Sequence, residues 1–147
     1  MADADCLFCK IVAGTWPAVK VWENDILLAF LDSRPVHPGH TLIIPKVHVD
    51  SVFKIKDPLY VDLFEAAKLL AEPVRKTGGT PRVGFAVEGF GVPHAHLHVV
   101  PLLHGAELVP NRSGMFDADQ AELTRIAEKI KKEFIICPRT PRGLPRG

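Results

Sequence analysis

Residues 94–100 read His-Ala-His-Leu-His-Val-Val, three imidazoles alternating with apolar side chains. On an extended chain this pattern puts His94, His96 and His98 on one face and Ala95, Leu97 and Val99 on the other. Same-face neighbours stand about 7 Å apart, so two rings can address adjacent parts of one polyanion, or one ring can orient the next. Imidazole titrates near neutrality and serves as nucleophile, general acid, general base or metal ligand. The plain alternative is a solvated strand face or an accidental metal site.

Other reactive side chains are spread along the chain. Cys6 and Cys9 form a C-x-x-C pair and Cys137 stands alone, an odd count that argues against a disulfide framework. The pair reads as metal ligands, a redox pair or core residues, and Cys137 as packing. His37, His40 and His48 flank the apolar run at 41–44, and Asp32 closes the apolar run at 26–31.

These residues need a scaffold. A chain of 147 residues, 47% hydrophobic and 24% charged, suits one compact domain, expected over 1–138, followed by a loosely ordered basic tail at 139–147 with Arg139, Pro141, Arg142, Pro145 and Arg146. A net charge of +1 supplies no global field for nucleic acid or a membrane. Residues 1–5 are acidic and polar rather than leader-like, and no apolar run approaches the roughly 20 residues that span a bilayer. The expected location is the cytoplasm.

Apolar spacing predicts a short helix over 5–14, capped by Asp5 and stopped by Gly14. Strands at 19–23 and 26–31 form a hairpin around Asn24-Asp25, and a third strand at 41–44 stops at Pro45. A helix capped by Asp57 runs from Pro58 to about residue 75 on a stripe of Val61, Phe64, Ala67, Leu70 and Ala71, with Pro73 kinking or ending it. Strand 83–87 pairs antiparallel with the histidine strand. A last helix from Gln120 to about residue 135, capped by Asp117 or Asp119, carries Leu123, Ile126, Ala127 and Ile130. The order describes an α+β fold with five strands in a mostly antiparallel sheet.

Residues 6–11 (CLFCKI), 30–32 (FLD), 38–46 (PGHTLIIPK) and the histidine strand, in this order and spacing, resemble the histidine triad (HIT) superfamily and its bacterial Hit/Hint-like hydrolase branch. The resemblance implies a homodimer whose sheets join across the interface, with a nucleotide on the histidine face. It implies a nucleotide hydrolase or nucleoside phosphoramidase needing no catalytic cofactor and cleaving at the α-phosphate of a purine nucleotide, AMP- or GMP-like, carrying a phosphoramidate or dinucleoside-polyphosphate-type leaving group. Within the triad His94, His96 and His98, the middle His96 corresponds to the nucleophile that is transiently nucleotidylated. His98 corresponds to a phosphoryl or charge-stabilising ligand, His40 to the histidine beside the phosphate, and Asp32 to the acceptor for ribose hydroxyls. The base pocket maps onto Leu7, Phe8, Ile11, Trp16 and Phe30. Cys6, Cys9, His48 and His94 match the four ligands of a structural zinc found in a bacterial branch.

The resemblance thins before the triad. Many members carry Gly-Gln-Ser or Gly-Gln-Thr there, whereas this chain has Gly89-Phe90-Gly91, whose backbone N–H groups are what the loop offers a phosphate. That departure keeps open a second reading, a nucleotide-binding regulatory or scaffold dimer of low turnover. A metal-sensing or redox C-x-x-C protein is a third, without the strand-then-helix context of a thioredoxin-like motif.

Overall fold

The computed structural model describes residues 3–105, 107–108 and 117–136. Cys137 and the basic tail lie outside them. The elements run α1 (Leu7–Val12), β1 (Lys20–Glu23), β2 (Leu27–Leu31), β3 (Thr41–Pro45), a 3-10 turn (Val52–Lys54), α2 (Leu59–Gly78), β4 (Arg82–Ala86), β5 (Leu97–Leu102) and α3 (Gln120–Ile136). The strands form one sheet in the order β1-β2-β3-β5-β4, with antiparallel pairing throughout. No helix among the described residues is long and apolar enough to cross a membrane.

The β1–β2 hairpin closes as its sequence predicts. Asn24 Oδ1 accepts from the N–H groups of Ile26 and Leu27 at 3.0 and 2.7 Å, so the side chain imitates a backbone turn. Strands β2 and β3 are buried at every position, which explains their continuous apolar runs. Leu27, Ala29, Leu31 and Ile43 face a core shared with α2 and α3. Leu28, Phe30, Leu42 and Ile44 face a smaller core beneath α1 with Cys6, Phe8, Cys9 and Ile11. The sheet is thus a two-sided partition, with α1 the helix packed on the second face among the described residues.

Three local expectations are corrected. Cys6, not Asp5, is the N-cap of α1 and makes no side-chain cap bond. Helix α2 begins at Leu59 with Pro58 at its N-cap, continues through Pro73, and ends at Gly78 with Gly79 left-handed at φ 65°. Burial of Leu70, Pro73 and Val74 offsets the backbone bond that the proline forgoes. The buried stripe is Leu63, Ala66, Ala67, Leu70 and Val74, while Val61 is 48% exposed. Helix α3 buries Leu123, Ile126, Ala127 and Ile130 as predicted, and its Asp119 carboxylate accepts from the Glu122 N–H at 3.2 Å.

The end of α2 presses on the segment that delivers His40. A Cβ at Gly78 would lie 2.8 Å from Pro101 Cβ on β5 and 3.2 Å from the carbonyl of Pro38. Gly39, at φ 99°, turns the chain immediately before His40. Gly78→Ala is therefore expected to destabilise the protein by roughly 1–3 kcal/mol through overpacking. Gly91→Ala, with nothing within 4 Å of the added carbon, should leave stability almost unchanged. Urea unfolding of the two variants checks the difference.

Candidate active site

Of the three triad histidines, His98 lies in β5 and His94 and His96 just before it, and their rings do not share one set of partners. Residues 94–96 precede the regular strand, anchored by the Ala95 N–H on the carbonyl of Val49. All three rings are buried, at 0%, 5% and 5% exposure for His94, His96 and His98. His96 Nδ1 lies 2.7 Å from the carbonyl oxygen of His94. A carbonyl can only accept, so Nδ1 carries the hydrogen and Nε2 keeps its lone pair. Phe8 presents its ring edge-on to His96 at 5.4 Å and fixes the plane.

His98 receives its tautomer from His40. The Val36 N–H donates to His40 Nδ1 at 3.1 Å, so in the neutral ring the hydrogen sits on Nε2. That nitrogen is 2.9 Å from His98 Nδ1 and 3.5 Å from Asp32 Oδ2. His98 Nδ1 accepts, and the His98 hydrogen is placed on Nε2, 4.0 Å from Glu88 Oε1. The result is a lone pair on His96 beside an N–H donor on His98, with ring centroids 5.0 Å apart. A nucleophile and an oxyanion donor need this pairing.

The ring of His94 turns elsewhere. Its Nε2 donates to the carbonyl of Pro45 at 2.8 Å, and its Nδ1 lies 3.5 and 3.6 Å from Cys6 Sγ and Cys9 Sγ. His48 Nδ1 is 3.4 Å from Cys9 Sγ. The four candidate ligand atoms lie within 4.8 Å of one another, and the three separations of 3.4, 3.5 and 3.6 Å match the edges of about 3.3–3.8 Å of a tetrahedron with bonds of about 2.0–2.3 Å. Two thiols, two imidazoles and a backbone acceptor on the far nitrogen of His94 fit a metal such as zinc. Burial pushes the His94 pKa down, against the Pro45 carbonyl that raises it and with the neighbouring His48 and His96 that lower it further, the direction that favours the neutral form a metal ligand needs. Burial also raises the Cys9 thiol.

His96 and His98 open into a cleft of ≈ 230 Å³. The predicted base-pocket residues Leu7, Phe8, Ile11, Trp16 and Phe30 all line it, with Asp32 and Gly91. Gly89 does not appear among the lining residues; it supplies a left-handed turn at φ 79°. His94 is not among them either, and His40 reaches the cleft through His98 and Asp32. Phe90 is 94% exposed. Sequence reasoning missed Glu88 and, from α3, Gln120 and Leu123 in the lining. Leu123 was legible as part of an apolar stripe, but nothing local to Gln120 signals a cleft lined by residues between 7 and 98.

The HIT domain family model matches residues 13–105 of the chain. The Protein hit of Bacillus subtilis is 38% identical over 102 residues, covering 66% of this chain and 70% of that protein. The adenosine 5'-monophosphoramidase HNT1 of Saccharomyces cerevisiae is 36% identical over 100 residues, covering 67% and 63%. Among solved structures, a zinc-bound histidine triad family protein from Mycobacterium smegmatis superposes with a TM-score of 0.74 at 29% identity, covering 90% of this chain and 96% of that one. The matched span holds the three triad histidines together with Asp32 and His40, and it exceeds half of the chain. The chain belongs to the histidine triad (HIT) family.

Proposed function

We propose that this protein is a nucleotide hydrolase that cleaves at the α-phosphate of a purine nucleotide through a nucleotidyl-His96 intermediate, with phosphoramidates as its preferred substrate class and dinucleoside polyphosphates as the related one. The observation that carries the reading is the 2.7 Å bond from His96 Nδ1 to the His94 carbonyl, which leaves Nε2 as the free nucleophilic nitrogen in the cleft. The apolar wall suits a purine, Asp32 suits ribose hydroxyls, and the chemistry of the yeast relative's name fits the same bond.

In the first step the Nε2 lone pair of His96 attacks the α-phosphorus, a P–N bond to His96 forms, and the bond to the leaving amine breaks. The amine takes its proton from water. The ring, substituted at Nε2 and protonated at Nδ1, is cationic, and the His94 carbonyl offsets that charge. The N–H at His98 Nε2 donates to a phosphoryl oxygen as charge builds there. Water then attacks phosphorus and gives its proton to the hydroxide left by the first step, the P–Nε2 bond breaks with its electron pair returning to Nε2, and the nucleoside monophosphate leaves.

Cys6, Cys9, His48 and His94 would hold a structural zinc, which supplies cross-linking of α1 to the sheet rather than chemistry. The reading also includes a homodimer, joined edge to edge at its sheets, working in the reducing cytoplasm where the paired thiols stay available to metal. A second reading, a slow nucleotide-binding dimer, is favoured by one feature: residues 89–91 bring an outward Phe90 where a polar side chain would assist the leaving group.

Two outcomes test the assignment. His96→Asn should abolish monophosphate release from adenosine 5'-phosphoramidate while AMP and GMP affinity, by calorimetry, stays within about threefold, under 1 kcal/mol; an active variant, or a parent that binds AMP and releases none, removes the hydrolase. Elemental analysis should find one zinc per chain, lost on Cys6→Ser or chelation, with Tm falling roughly 2–4 °C for each kcal/mol of stability removed.

A further inference from the structure

The cleft lining mixes apolar side chains with polar ones, His96, His98 and Glu88 and, with them, Asp32, Ser33 and Gln120. The corner at Asp32 and Ser33 adjoins the histidines, a carboxylate oxygen of Asp32 lying within 4.8 Å of ring nitrogens of His40 and His98. Gln120 enters from a distant element that is tied to this corner twice. The Ala118 N–H donates to the carbonyl of Ser33 at 2.8 Å, and Arg34 Nε donates to Asp117 Oδ1 at 2.8 Å. These ties hold the first turn of α3 against the loop that carries Asp32.

A ribose diol presents both hydroxyl donors and oxygen lone pairs, whereas an ionised carboxylate only accepts. Asp32 is in addition already engaged: Oδ1 takes the Arg34 N–H at 2.8 Å and Oδ2 faces His40 Nε2 at 3.5 Å. A group able to donate as well as accept is therefore needed at the same corner, and a primary carboxamide is such a group.

We propose that Gln120 reads the ribose: its carboxamide hydrogen-bonds the 2',3'-diol alongside Asp32 and sets the preference for ribonucleotides over nucleotides lacking those hydroxyls. This specificity role rests on the reading of the cleft as a nucleotide site. It makes α3 part of the substrate-binding surface rather than a cover for the core.

The test uses the full chain and its affinity for AMP and for 2',3'-dideoxyadenosine monophosphate. Unaltered protein should favour AMP, and Gln120→Ala should shrink that ratio roughly fivefold, the worth of one neutral hydrogen bond, by weakening AMP alone. Gln120 is exposed, so the variant is expected to fold, as circular dichroism would verify. An unchanged ratio in Gln120→Ala, or its loss in Ser33→Ala alone, overturns the assignment. If the unaltered protein binds neither nucleotide, the nucleotide reading of the cleft fails and this role with it; if it binds both equally, only the ribose role fails.

Discussion

One hydrogen bond, from His96 Nδ1 to the carbonyl of His94, decides what the site can do. A neutral imidazole has one donor and one acceptor nitrogen, and whichever is bonded to a fixed carbonyl must donate. Because the acceptor is backbone two residues earlier, the tautomer is written into the path of the chain and needs no other side chain. The path in turn depends on the Ala95 N–H being held by Val49 and on β5 lying between β3 and β4. An inner strand of the sheet thus begins immediately after His96 and fixes where its ring stands.

His94 joins two functions through different atoms. Its carbonyl orients His96, while its ring belongs to the group with Cys6, Cys9 and His48. A metal bound there would restrain the same residue whose backbone sets the His96 tautomer. It would also hold α1, which carries Leu7, Phe8 and Ile11 into the cleft. Structural restraint and reactivity are therefore close neighbours without sharing a side-chain nitrogen. On the other side, the sequence Val36 N–H, His40, His98 sets the second donor in the same way.

Much of this was legible in the residues themselves. The hairpin at Asn24, the fully apolar runs of β2 and β3, and the α3 stripe follow from local pattern, and four short motifs in fixed order identified the family. What escaped was geometry across the chain. Alternation alone puts three histidines on one face, whereas the ring of His94 lies beside Cys6 and Cys9, more than eighty residues earlier, a grouping that the family resemblance implied and local pattern did not. Pro73 was expected to limit α2, but burial on the sheet outweighs a single missing backbone bond. The α2 stripe keeps Ala67 and Leu70 but buries Leu63, Ala66 and Val74 in place of Val61 and Ala71, because the helix is apolar at both sets of positions and only packing decides between them. Gln120 was invisible as a site residue because the ties that place it, through Ser33 and Arg34, are tertiary.

The account turns on the state of one ring, and nitrogen-15 NMR of the histidine side chains observes it directly. In uniformly labelled protein at neutral pH, with His96 assigned by comparison with His96→Asn, the account predicts a hydrogen on Nδ1, coupled across its bond to the His94 carbonyl, and an unprotonated Nε2. A His96 ring carrying its hydrogen on Nε2, with Nδ1 bare, would contradict it, since the nucleophilic lone pair would then face the backbone instead of the cleft.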